Sequence, residues 1–134
     1  YILILLFSFE INIKAKENFF LEGVKLFNEK KFNDSKFKFE QDIVFNPKSE
    51  LSYLYLAKIF KEEKKDDLQE QNLNTVILLN PKNEEALYLL TLLRIKKSDY
   101  KESDELIKKF KLVCQKLCDK KTELTKKLQR LETN

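Results

Sequence analysis

The chain contains no histidine, one glycine, two prolines and two cysteines among 134 residues. Without histidine it lacks the usual general base near neutral pH and the commonest metal ligand. Catalysis by paired carboxylates or a lone thiol would need an organised cluster, and the sequence shows none. Two cysteines, Cys114 and Cys118, fall short of the ligand set of a structural zinc site. One Gly and two Pro cannot punctuate the many turns of an all-β fold. The expectation is an all-α, non-catalytic chain with no cofactor and no metal.

Hydrophobic residues make up 43% and charged residues 36%, the balance of a folded chain with a charged surface. The length suits one domain or a short array. Of the 26 basic residues only Arg94 and Arg130 are arginine. The wealth of Lys, Asn, Ile and Phe reads as the coding bias of an AT-rich genome, so lysine number carries little functional weight. A net charge of +4 argues for neither nucleic acid nor anionic lipid.

Residues 1–15 differ from everything after them. Tyr1 to Phe9 is an almost unbroken apolar run, followed by Glu10 to Ala15. Such a run ending at a small residue reads as the back half of a secretory signal peptide, with cleavage after Ala15. The chain starts with Tyr rather than Met, so further residues are expected upstream. Two readings stay open beside this one. A retained membrane anchor would need roughly 20 apolar residues, more than are visible, and a buried first helix would need a partner surface. No Cys follows the run, which disfavours a lipoprotein anchor. The expected location is periplasmic or equivalent, membrane-anchored only if residues 1–15 are retained.

From Lys16 a helical period takes over. The two prolines stand 34 residues apart, in Asn46-Pro47-Lys48 and Asn80-Pro81-Lys82. Each follows a helical pattern that it cannot extend. Phe19, Phe20, Gly23 and Phe27, then Phe32, Ser35, Phe39 and Ile43, mark one face of each of two helices. Asn28 to Lys31 turns between them, and Asn33-Asp34 offers capping oxygens. Ser49 or Ser52 can cap the next helix, Lys61 to Asp67 turns, and Leu68 to Leu79 is its partner. Asn83 with Glu84 and Glu85 opens a third unit, and Lys96 to Asp99 turns before a helix through Phe110. Short connections make neighbouring helices antiparallel.

The three units resemble tetratricopeptide repeats. The matching slots are Phe19, Gly23, Leu26, Phe32, Ser35, Phe39 and Pro47, then Tyr53, Leu56, Ala57, Phe60, Leu73, Val76 and Pro81. In the third unit they are Leu87, Leu90, Thr91, Arg94, Tyr100, Ser103 and Ile107. The implied fold is a short right-handed α-solenoid of stacked antiparallel helix pairs, with repeats at 16–47, 48–81 and 82–115. Residues 116–134 read as a capping helix that Asp119 can begin, with Leu117, Leu124, Leu128 and Leu131 as its apolar stripe. Glu22, Asp42, Gln69 and Gln115 depart from the pattern. Asp42 and Glu22 are expected to be exposed in a looser first repeat, with a carboxylate pair as the alternative, and the missing third proline suggests a last paired helix that runs on. Within that helix an i,i+4 disulfide would be strained, so burial of Cys114 and Cys118 is expected, with pairing left open.

The resemblance also assigns a concave groove to the first helix of each repeat: Phe20, Val24 and Phe27, then Leu54, Lys58 and Lys61, then Tyr88, Leu92 and Ile95. An apolar floor with a charged rim suits a protein segment, and charged residues at Leu54 and Tyr88 are expected to abolish capture while sparing helicity. One subfamily clamps a partner's terminal carboxylate with Lys and Asn, but the corresponding places hold Phe20, Val24, Tyr55, Glu85 and Leu89. The implied function is a protein-interaction adaptor. The alternative is a structural or self-associating envelope component, homodimeric for example, that uses the convex residues Phe37 and Val44 or the basic last helix. Scarce Arg and absent aromatics in that helix weigh against nucleic acid.

Overall fold

The computed structural model describes residues 19–133 and forms seven helices among them, with no strand. The reading of residues 1–15 lies outside the described residues. Residues 19–28 form α1, followed by α2 (Phe32–Phe45), α3 (Glu50–Glu62), α4 (Asp66–Leu79), α5 (Glu84–Lys96), α6 (Tyr100–Val113) and α7 (Lys120–Glu132). Consecutive helices from α2 onward pack on one another, and α7 lies against both α5 and α6. The result is three antiparallel helix pairs stacked as a short right-handed α-solenoid, closed by α7.

The period is written most clearly in the turns. Lys30, Lys64 and Ser98 have φ of 59°, 57° and 58°, the left-handed region, at steps of 34 residues. Around each, two backbone bonds close the same motif. Lys31 N–H donates to the Leu26 carbonyl and Lys30 N–H to Phe27; Lys65 donates to Phe60 and Lys64 to Lys61; Asp99 donates to Arg94 and Ser98 to Ile95. These bonds satisfy the last carbonyls of the first helices and reverse the chain within three residues. The middle turn is therefore residues 63–65, shorter than the expected Lys61 to Asp67, because α4 already starts at Asp66.

Inside each pair the helices meet at a small residue. A Cβ added to Gly23 would come within 2.8 Å of the Phe39 ring, and the Ser35 hydroxyl donates to the Gly23 carbonyl at 2.8 Å. The corresponding slots 34 and 68 residues on hold Ala57 and Thr91, both fully buried. Two apolar clusters result. Phe39, Leu56, Ile59 and Phe60 gather α1 to α3, while residues from Leu54 to Leu128 unite the later repeats with α7.

Several local expectations are corrected. Asn33-Asp34 does not cap α2, whose N-cap is Lys31. Ser49 sits at the N-cap of α3 but makes no capping bond, because its hydroxyl donates to Asp42 at 2.5 Å, as does that of Ser52 at 2.6 Å. Asp42 is thus buried, 3% exposed, rather than an exposed substitution; the next repeat supplies the hydroxyls that a buried carboxylate requires. Glu22 forms an ion pair with Lys38 at 2.6 Å instead. Asp119 precedes α7 without a capping bond. Helix α6 does not run on but stops at Val113, and residues 114–119 form a loop. In that loop Cys114 and Cys118 are joined by a disulfide, with Cα atoms 5.2 Å apart. The objection to an i,i+4 bond applied to a continuous helix, and no continuous helix is present.

A side chain held in the left-handed region costs about 1 kcal/mol that glycine avoids. Lys64→Gly is expected to raise the urea midpoint by the equivalent of up to about 1 kcal/mol, and Lys64→Val to lower it by about 1 kcal/mol or more. A lower midpoint for the glycine variant would contradict the turn geometry.

Candidate functional site

The face assigned to the groove is organised around Tyr55, in the middle of α3. Its ring stacks on Phe39 at 5.0 Å and meets Phe27 and Phe20 edge-on at 5.1 and 6.0 Å. Such aromatic contacts add to simple burial and fix ring orientation. The Lys58 ammonium lies 4.8 Å from the Tyr55 ring centroid and forms an ion pair with Glu85 of α5 at 2.5 Å. One lysine thereby joins the second and third repeats across this face. Its reach spans the gap; its worth at a half-exposed site is modest.

Of the nine assigned residues, Phe20, Val24 and Phe27 are half-buried around the first cluster. Tyr88 and Leu92 are half-buried against the second. Lys58 bridges the two groups, and Lys61 is exposed. Leu54 and Ile95 lie deeper, at 3% and 8% exposure, and belong to the core rather than to a floor. A charge at Leu54 would therefore unseat the core by several kcal/mol instead of sparing helicity. Tyr88 is committed too. Its hydroxyl donates to the Glu123 carboxylate of α7 at 3.2 Å and its ring leans on Phe110. Burial, with the Glu123 charge behind it, pushes the phenol above its ordinary pKa.

Sequence reasoning missed two ties made by acids at matching positions. Glu50 opens α3 and accepts from the side-chain amides of Asn80, at 2.9 Å, and Asn83. Glu84 opens α5 and accepts from the backbone N–H of Gln115, Lys116 and Leu117, at 2.7, 3.0 and 3.1 Å. Helices α3 and α5 each hold the connection that follows their own repeat. The signal was present in the 34-residue spacing of Glu50 and Glu84. Partial burial raises the Glu84 pKa, but the three backbone donors outweigh it and hold the carboxyl below its ordinary range.

Away from this face, an open cleft of about 490 Å³ is lined by Asp67, Glu70, Gln71, Asn74, Arg94 and Lys97. Glu70 accepts from Arg94 at 2.6 Å and from Lys97 at 2.7 Å. The Lys97 bond, with Arg94 beside it, lowers the Glu70 carboxyl against the effect of burial. These charges satisfy one another across α4 and α5, which makes the cleft a structural ion network. Among the described residues no group of three or more acidic or cysteine side chains could hold a metal ion.

No protein-family model matches the sequence, and no curated protein matches it. Solved structures do match in shape. The Arabidopsis OM64 TPR domain superposes with a TM-score of 0.79 at 20% identity, covering 89% of this chain and 98% of that one. The first TPR of Spaghetti (RPAP3), bound to the HSP90 peptide SRMEEVD, gives 0.78 at 17% identity, covering 89% and 94%. The TPR2B domain of yeast Sti1 in its pHsp70 complex gives 0.75 at 14% identity, covering 90% and 98%. At these identities the likeness establishes the fold, that of tetratricopeptide repeats.

Because the folded-state pKa of Glu84 is depressed, its stabilising contribution is complete above the ordinary value of 4.5 and is lost as the pH falls through the lower folded value. The thermal midpoint of wild type is expected to exceed that of Glu84→Gln at pH 7, with the gap closing in acid. A gap independent of pH would show that the carboxylate does not hold the 115–117 loop.

Proposed function

We propose that this chain, built on the tetratricopeptide-repeat fold, is a non-catalytic adaptor that holds a segment of another protein along the face of its first helices. The observation that carries the reading is the half-buried aromatic floor around Tyr55, bordered by the Lys58–Glu85 pair. Apolar side chains of a docked helix or extended strand would complete the burial of Phe20, Val24 and Phe27, and the rim would meet the polar backbone. A terminal carboxylate is a poor fit. The places that would clamp it hold Phe20, Val24, Tyr55, Leu89 and the acidic Glu85, so the chaperone-tail peptides bound by similar structures are not the ligand proposed here.

An extracytoplasmic location belongs to the same proposal. It is supported by the apolar residues 1–9 and by the Cys114–Cys118 disulfide, a bond that persists in oxidising compartments.

Two measurements test the proposal. A photo-crosslinking side chain at Val24 is expected to yield a discrete protein adduct in the native cell that the same side chain at Gln71, on α4, does not. Loss of that adduct on combining it with Lys58→Glu would tie capture to the floor; equal labelling from both positions would reject the groove. Thiol alkylation of chain taken from native cells is expected to occur only after reduction. Immediate labelling of both cysteines would reject the oxidising location.

A further inference from the structure

Charge is unevenly placed along the chain. Residues 1–99 hold sixteen basic and sixteen acidic side chains, so the net +4 falls entirely on residues 100–134, with ten basic and six acidic ones. That balance takes every acid at full charge, since hydrogen bonds from neutral donors leave a carboxylate negative. Helix α5, which packs on both α6 and α7, is itself even, with Glu84 and Glu85 against Arg94 and Lys96. The excess belongs to the closing end of the stack.

Part of that excess lines a recess. Between α6 and α7 an open cleft of about 320 Å³ is bordered by Lys111, Lys121, Thr122, Thr125, Lys126 and Gln129. The five on α7 share one face of that helix, while Leu124 and Leu128 are buried on another. Tyr100 of α6 steadies the wall by donating to the Leu131 carbonyl at 3.1 Å. The ammonium groups of Lys111, Lys121 and Lys126 have no acidic partner among the described residues, and the Thr122 hydroxyl and Gln129 amide have no hydrogen bond among them. Thr125 is committed to its own helix, donating to the Lys121 carbonyl at 2.9 Å. Acids on the same helices are engaged elsewhere: Asp104 with Lys108 at 2.6 Å, Glu102 with Arg94 at 2.9 Å, and Glu123 with Tyr88. Glu105 is exposed, but its place six residues before Lys111 puts it on a different face of α6. Two other clefts are of mixed sign. One sets Asp67 and Glu70 against Arg94 and Lys97, the other Asp66 and Asp67 against Lys64, Lys65 and Lys97. A lysine-rich composition spreads lysines along a chain, but it does not keep acids out of one recess.

We infer that the α6–α7 cleft binds an acidic segment of a partner protein, whose Asp or Glu carboxylates meet the three ammonium groups while the Thr122 hydroxyl and Gln129 amide serve its backbone. Charge complementarity fixes the sign of the occupant, and the lining fixes its class. No apolar side chain borders the cleft, so nothing there would enter a bilayer. No aromatic ring or arginine borders it, so nothing there would stack on a base. A run of carboxylates needs neither. The cleft lies on α6 and α7, apart from the aromatic floor of α1 and α3, and the inference does not rest on the groove reading.

The probe is a fluorescently labelled hexaglutamate peptide, titrated with the full chain at low salt and followed by anisotropy. Binding is expected, and it should weaken as salt is raised. Lys111→Glu combined with Lys126→Glu should weaken it roughly tenfold or more. Lys25→Glu combined with Lys48→Glu makes an equal change of charge away from the cleft and should alter it by less than about twofold. All four lysines are exposed, so the variants should keep the wild-type thermal midpoint. Lys121→Gln, a milder change in the same lining, should also weaken binding. The inference is overturned if hexaglutamate does not bind, or if both double variants weaken it equally. It is overturned too if oligothymidylate or phosphatidylglycerol vesicles bind more tightly than the peptide through Lys111 and Lys126, which would assign the cleft to nucleic acid or lipid.

Discussion

The close approach of two helices at Gly23 is the constraint from which the rest of the unit follows. With the Phe39 ring occupying the space of an absent Cβ and Ser35 hydrogen-bonded to the Gly23 carbonyl, the crossing of α1 and α2 has little freedom. The same slots carry Ala57 and Thr91 on the first helices, and Leu73 and Ile107 on the second. Thr91 fits because its hydroxyl donates to the Leu87 carbonyl of its own helix at 2.7 Å. A crossing set this way directs the remaining apolar residues toward the neighbouring pair. A single pair could not bury them, so the repeats stabilise one another by nearest-neighbour contact.

Much of this was legible in the sequence because it rests on period. The spacing of Pro47 and Pro81, the small residues at 23, 57 and 91, and the Asn83 cap, which accepts from Ala86 N–H at 2.8 Å, all recur by rule. Depth was harder to read than direction. Leu54 and Tyr88 share a helical face with Phe20, yet one sinks into the core and the other is covered by α7. Periodicity reports which way a side chain points, not what lies in front of it. Asp42 was misread for a related reason. A carboxylate in an apolar slot implies water unless partners arrive, and Ser49 and Ser52 arrive from the following repeat. Helix α6 was expected to continue for want of a proline, but the donors that stop it bond to Glu84, some thirty residues earlier in the chain.

The acids at the start of α3 and α5 show how the array keeps its connections short without proline at every one. Asn80 and Asn83 lock onto Glu50, and the 115–117 backbone locks onto Glu84. The first device uses side-chain amides. The second uses bare peptide N–H groups, which can replace a proline wherever a carboxylate waits nearby.

The disulfide between Cys114 and Cys118 encloses so few residues that it restrains little of the unfolded chain. Its influence falls on the path of the folded one. With those two positions tethered, α6 and α7 are kept from merging into one long rod, and the terminal helix must double back over the last pair. The bond therefore works as a corner-piece, setting where the solenoid ends and preventing a fourth stacking surface from opening to the solvent.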